Sequence, residues 1–223
     1  MYHSIADIEN LKNKIYITKN GAMSDESITM IHTPNLNNIQ NLYKYIVDND
    51  IQGDILEAGV WKGGATILMA ALNKYYNTNK KVYACDSYEG LPKTSDYTED
   101  HIVNGTNWQS YAVSLEEVKG NFDKYNLLDN DVIFVKGFFE ETIPKLEVGD
   151  LSLLRLDGDM YTSTIVCLDE LYDKVVKGGV IICDDYGWKE AGSGRAIDDF
   201  RKKRNITTPM KYSAYFCYYW IKE

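Results

Sequence analysis

Short apolar runs alternate with longer segments of helical period along most of the chain. The runs at 54–58 (DILEA), 81–85 (KVYAC), 131–135 (DVIFV), 151–156 (LSLLRL) and 179–183 (GVIIC) predict strands. Helical patterns lie near 63–77, 114–125, 161–176 and 192–204. In the third, Ile165, Leu168, Leu171, Tyr172 and Val175 share a face. Ser114 and Glu117 form a capping-box pattern that sets the start of the second. Residues 1–32 read as a polar arm or short helix, and Thr33-Pro34 opens a helix with Leu42, Tyr45 and Ile46 on one face. The aromatic run 212–221 (YSAYFCYYWI) predicts a last, antiparallel strand beside one at 206–210. Alternating strands and helices imply a doubly wound α/β fold, a mostly parallel, Rossmann-like sheet of seven strands covered on both faces.

Composition narrows this to a single domain of 223 residues with 44% hydrophobic content, ample for a core. Asp plus Glu outnumber Lys plus Arg by 33 to 24, a formal net charge of -9. Such a surface repels phosphate backbones, so no nucleic-acid partner is expected. No apolar run approaches the ~20 residues that span a bilayer. The amino terminus lacks a basic segment followed by an apolar core, so a cytoplasmic protein without membrane contact is expected. The four cysteines, Cys85, Cys167, Cys183 and Cys217, form no zinc pattern and read as buried free thiols.

Three strand ends carry candidate chemistry. GDILEAGVWKGG ends the first strand and turns into a helix through Gly59, Gly63 and Gly64. Its spacing departs from GxGxxG, and Glu57 would repel a pyrophosphate. An acid there suits an amine-bearing ligand, such as the amino-acid end of S-adenosylmethionine (SAM). Asp86, at the end of the second strand, suits a ribose diol. Gly137 and Phe138, after the third, can flank a purine. The competing reading makes all of these turn residues.

A second constellation sits at the ends of the last two parallel strands: Asp157 and Asp159 in LDGD, and Asp184 and Asp185 in CDDY. Crowded carboxylates need a cation or proton between them. Oxygen ligands without His or Cys favour Mg²⁺ or Ca²⁺, with Asp157, Asp184 and Asp185 as ligands. Asp159 is either a further participant or a cap for the helix at 161.

These pieces resemble the macrocin O-methyltransferase family of class I SAM-dependent enzymes. The matching stretches include GDILEAGVWKGG, ACDSYEGLP, YAVSLEEVKGNF, LLRLDGDMYTST and LYDKVVKGGVIICDDYG, in family order over about residues 50–205. The resemblance implies methyl transfer from SAM to a hydroxyl of a sugar, glycan or nucleotide-sugar acceptor, assisted by Mg²⁺. It places Glu57, Gly59 and Gly63 at the methionine part, Asp86 and Ser87 at the ribose, and Gly137 and Phe138 by the adenine. Asp157, Asp184 and Asp185 would bind the metal. Relatives commonly assemble through arms and helices, so a homodimer is expected. Thr162 departs from the acid that relatives usually carry after LDGDMY.

Some base must take the acceptor's proton. Met160 stands where catechol-type relatives carry Lys, which leaves His101, Asp159 or a metal-bound carboxylate such as Asp157. His101 also reads as a plain loop histidine, and His3 and His32 have no evident partner. The long polar loop 93–113 is a candidate lid, in which Trp108 or Tyr111 either stacks on a sugar or packs on the sheet edge. Arg195 either faces an anionic acceptor or pairs with Asp198 or Asp199. The RKKR run at 201–204 reads as a solvated helix end. The alternatives are a metal-dependent methyltransferase of catechols or other non-sugar molecules, an NAD-type oxidoreductase, and a binding protein on a relict fold.

Overall fold

An amino-terminal helix, α1 (Ile5–Ile15), and a small hairpin of β1 (Thr18–Lys19) and β2 (Ala22–Met23) precede α2 (Thr33–Asp48). The chain then alternates: β3 (Asp54–Ala58), α3 (Gly64–Tyr76), β4 (Val82–Asp86), α4 (Leu115–Lys124), β5 (Val132–Lys136), a short α5 (Phe139–Thr142), β6 (Leu151–Leu156), α6 (Tyr161–Leu171), β7 (Val175–Cys183) and α7 (Gly192–Lys203). A hairpin of β8 (Lys211–Ala214) and β9 (Cys217–Ile221) ends it. This computed structural model describes residues 2–20, 22–92, 100, 111–189 and 191–223.

The seven-stranded sheet has the order β5-β4-β3-β6-β7-β9-β8. Strands β3 to β7 pair in parallel, and β9 runs antiparallel to β7 and β8. From the central β3 the chain winds outward through β4 and β5, then returns to β6 on the other side. The β3/β6 boundary is therefore a topological switch point, where a crevice opens at the carboxyl ends of the strands.

Side-chain alternation divides the core. Ile55, Val82, Ala84, Leu153, Val180 and Ile182 face α1 to α4, while Leu56, Cys85, Leu154, Leu156, Ile181 and Cys183 face α6 and α7. The four cysteines are buried and free. In α2 the buried tyrosine is Tyr43, not Tyr45, and its hydroxyl reaches Thr78 Oγ1 at 2.9 Å. Ser114 Oγ accepts from Glu117 N, as its pattern requires.

Three boundaries differ from the sequence reading. Helix α6 stops at Leu171, a 3₁₀ turn follows, and Val175 starts β7. Val175 pairs with Leu151, so a β-branched residue that continued the helical stripe belongs to the sheet. Residues 206–210 form no strand: Ile206 N donates to Arg201 O and Arg201 Nη2 donates to Thr208 O, tying the segment to the end of α7. The aromatic run is two strands, split at Tyr215, whose φ is 50°. Nor is the RKKR run wholly solvated. Arg201 packs 4.9 Å from the buried Trp220 ring, and Arg204 pairs with Asp173.

Gly59 holds the switch point together. Its φ is +96°, and a Cβ there would lie 1.8 Å from the Asp157 carbonyl oxygen. Gly59→Ala should destabilise the protein by at least about 2 kcal/mol, since a left-handed conformation and a backbone overlap both penalise the side chain. Urea unfolding checks this; an unchanged midpoint would mean the strand ends can part freely.

Candidate active site

The carboxyl ends of β3, β4, β6 and β7 surround a cavity of about 300 Å³. Among the described residues six carboxyl groups line it, those of Glu57, Asp86, Asp157, Asp159, Asp184 and Asp185. Trp61, Asp159, Asp185 and Tyr215 line it from left-handed backbone positions, with φ between 49° and 55°. Such strained turns gather at functional sites because a packed scaffold holds them there.

Glu57 does not stand alone. Its register neighbour on β6 is Arg155. Arg155 Nη1 donates to Glu57 Oε1 at 2.5 Å and to Asp157 Oδ2 at 2.7 Å, while Nη2 donates to Asp184 Oδ2 at 2.5 Å. Thr66 Oγ1, from α3, donates to Glu57 Oε2. Glu57 is 1% exposed, and burial pushes its carboxyl up to about 7 against the pull of Arg155 and Thr66. Sequence reasoning missed Arg155. The available signal was a charge inside a strand covered on both faces, which must meet a counter-charge.

Asp86 sits at the end of β4. Its Oδ2 accepts from Val60 N at 2.7 Å and Trp61 N at 3.1 Å, and its Oδ1 accepts from Tyr88 N at 2.7 Å. These bonds aim the carboxylate across the turn after β3. Burial raises its pKa, and the three amides oppose the rise. Ser87 lines the cavity and closes the next turn by donating to Gly90 O at 2.6 Å. Phe138 lines the cavity as well. Gly63 and Gly137 act one layer back. A Cβ on Gly63 would press on Phe122 and Val118 of α4, and one on Gly137 would meet Thr142.

Asp157, Asp184 and Asp185 come together. Each offers one carboxylate oxygen, and these oxygens lie within 4.8 Å of one another. Two oxygens on one ion are at most about 4.2 Å apart for Mg²⁺ and about 5 Å for Ca²⁺, so the trio fits a hard divalent cation after slight rotation. Asp159 does not cap α6. Its carboxyl interacts with that of Asp185, while the Asp100 carboxylate accepts from Tyr161 N at 2.5 Å and from Thr162 Oγ1 at 2.9 Å. Thr162 therefore faces the cap. Burial first, then the Asp157 charge, pushes Asp159 up to about 7 and Asp185 up to about 9. Asp184 is also raised, by the same two causes.

The rim is aromatic. His32 lines the cavity, stacked on Tyr215 at 3.9 Å, with its Nδ1 2.6 Å from Tyr16 Oη. Tyr111, Trp188 and Phe216 also line it. Arg195 does not: it is exposed, 3.7 Å from Asp199. His101, Trp108 and nearly all of the candidate lid lie outside the described residues.

A sheet of this order, with its crevice at the switch point and acids at the strand ends, is that of the class I, SAM-binding methyltransferases. The structure of the O-methyltransferase NovP superposes with a TM-score of 0.91 at 30% identity, over 98% of each chain. The family model for macrocin-O-methyltransferase (TylF) matches residues 17–222. Demethyldecarbamoylnovobiocin O-methyltransferase of Streptomyces niveus is 38% identical over 186 residues, covering 82% of this chain and 71% of that one. The 8-demethyl-8-(2,3-dimethoxy-alpha-L-rhamnosyl)-tetracenomycin-C 4'-O-methyltransferase of Streptomyces olivaceus is 35% identical over 192 residues, covering 82% and 70%. The chain belongs to the macrocin O-methyltransferase family and is an O-methyltransferase. That membership sets aside the oxidoreductase and relict-fold alternatives. Among the described residues no helix is long and apolar enough to cross a membrane.

The raised carboxyls give a pH signature. Glu57, Asp159 and Asp185 bind protons more tightly folded than unfolded, so the folded state holds more protons from about pH 4 to 9. Stability from these groups is full below that window and is lost as pH rises through it. In EDTA the melting temperature should fall between about pH 5 and 9, and Mg²⁺ or Ca²⁺ should remove most of the fall. A flat profile that metal leaves unchanged would contradict the crowding of these acids.

Proposed function

We propose that this enzyme transfers the methyl group of SAM to a hydroxyl of a sugar already carried on a small apolar molecule, with a divalent cation at Asp157, Asp184 and Asp185. The observation that carries the reading is the single cavity joining Glu57 and Asp86 to that acidic trio. The names of the relatives, which modify rhamnosyl-tetracenomycin, a novobiocin precursor and mycinamicin III, support small glycosylated acceptors. So does the cavity wall. Its guanidinium, Arg155, is committed to three carboxylates, and no Lys lines the cavity among the described residues. A nucleotide sugar would bring two phosphates to a wall of acids. By contrast Met30, Tyr215 and Phe216, at 41%, 51% and 50% exposure, offer that wall apolar surface.

SAM supplies a methyl group on a positively charged sulfur, a good leaving group. Mg²⁺ supplies a template and a Lewis acid that eases loss of a hydroxyl proton. The chain's residues do the rest. Glu57 and the peptide at Gly59 receive the amino-acid end of the donor. Asp86, locked by three backbone amides, keeps lone pairs toward the ribose. Phe138 borders the adenine. The acceptor oxygen forms a bond to the methyl carbon, the sulfur–carbon bond breaks, and its electron pair stays on sulfur. Asp159 takes the proton; a carboxyl pushed up to about 7 suits a base working near neutrality. Holding donor and acceptor in line supplies ~7–11 kcal/mol of the barrier reduction where the geometry is near attack.

Labelled SAM offered with free sugars, nucleoside-diphosphate sugars and glycosides tests this. Label should reach glycosides, fall on EDTA treatment and return with Mg²⁺. Preference for nucleotide sugars, or indifference to EDTA, would overturn the acceptor or the metal assignment respectively. Asp159→Asn should lower kcat by about 10²–10⁴-fold. Its affinity for S-adenosylhomocysteine, measured by calorimetry, should stay within about threefold, since a base contributes to the transition state and not to donor binding.

A further inference from the structure

Arg155 is the one guanidinium on the cavity wall among the described residues, and its side chain is 2% exposed. It rises from β6 between β3 and β7, in register with Glu57 on one side and Ile182 on the other. Its contacts are unequal in kind. Nη1 is shared between Glu57 Oε1 and Asp157 Oδ2, and Nη2 holds Asp184 Oδ2. Asp157 and Asp184 are two of the three groups gathered for a cation, and each has given one oxygen to Arg155. Among the described residues Arg155 pairs with Glu57, Asp157 and Asp184 and not with Asp185.

We propose that Arg155 is a resident cation of the acid cluster, which keeps the divalent metal weakly held and sets metal against donor through Glu57. The inference rests on the metal-assisted reading above. Its physical basis is competition. A fixed positive charge in contact with two ligands opposes a second cation on the same carboxylates and occupies one oxygen of each. Without Arg155 the buried acids would be left uncompensated, and a cation would be drawn in strongly. Sharing of Nη1 supplies the coupling. Drawing Asp157 toward a metal leaves Nη1 to Glu57 alone, so that acid turns further toward Arg155 and away from a donor ammonium. Linkage requires the reverse effect, donor weakening metal, to be equally large. A purely structural Arg155 has no such consequence, because its loss would loosen the cluster and weaken the metal.

Calorimetric titration of Mg²⁺, with Mn²⁺ followed by electron paramagnetic resonance, into the wild type, Arg155→Lys and Arg155→Met tests this. S-Adenosylhomocysteine is then titrated with and without saturating metal. The expected result is metal binding at least about tenfold tighter in Arg155→Met than in the wild type, with Arg155→Lys between them. Metal should weaken S-adenosylhomocysteine about three- to tenfold in the wild type and not in Arg155→Met. Should Arg155→Met fold only when Mg²⁺ is added, that also supports the proposal, and the Lys variant then gives the affinity comparison. Equal or weaker metal binding in the variants, or coupling that survives in Arg155→Met, would overturn it. Tight binding by Arg155→Met with none by the wild type would uphold the role of Arg155 while refuting metal assistance in the native enzyme. No binding by any of the three would refute both.

Discussion

Arg155 reaches Glu57, Asp157 and Asp184 from the middle of β6, and these carboxylates come from β3, from the end of β6 and from the turn after β7. Burying a guanidinium costs several kcal/mol unless it is well paired, and so does burying each acid. Together they form a network that no member can leave cheaply. The network spans the switch point of the sheet, so Glu57 and the aspartates at the ends of β6 and β7 belong to one electrostatic unit. Among the described residues, one fixed charge cannot balance six carboxyls on the cavity wall. The remainder must be met by protons, as the raised values of Glu57, Asp159 and Asp185 indicate, or by a cation.

Backbone geometry keeps this unit in place. Gly59 allows the chain to pass against the Asp157 carbonyl, which brings the ends of β3 and β6 together. Asp86 gathers the amides of Val60 and Trp61 and so fixes the turn that leads into α3. On the far side, Asp157 N donates to Ala58 O and Asp184 N donates to Leu156 O, which continues the ladders just past the strands. Ser193 N donates to Asp159 O, and Asp100 caps α6. The acids are thus set on strand ends and on the hydrogen-bonded turns just after them, and fixed placement is what in-line transfer demands.

Much of this was legible in the sequence because a doubly covered sheet writes plainly. DILEA and LSLLRL are short, mostly apolar runs, and the acids at their ends mark the carboxyl ends where a parallel sheet places its site. Asp157, Asp184 and Asp185 were found on that logic. The end of α6 was illegible because Tyr172 and Val175 prolong the helical stripe while Val175 already pairs in β7. The hairpin of β8 and β9 was read as one strand because an aromatic turn at Tyr215 and Phe216 carries no glycine or proline. Arg155 was hidden by its own neighbours, since one charge in the leucine-rich LSLLRL reads as a flaw until the register shows Glu57 beside it. The partners of His32, Tyr16 and Tyr215, lie far apart in the chain, and no local pattern announces them.

On the proposed function, one cavity holds a methyl donor against Glu57 and a divalent ion among the three aspartates while Arg155 keeps its place. Crystals grown with S-adenosylhomocysteine and Mn²⁺, with anomalous scattering recorded near the manganese edge, measure this directly. The expected result is one strong peak bounded by oxygens of Asp157, Asp184 and Asp185, with Arg155 still bonded to Glu57 and the donor seated in the crevice between Glu57 and Asp86. A peak elsewhere, or a donor seated away from Glu57 and Asp86, would contradict it.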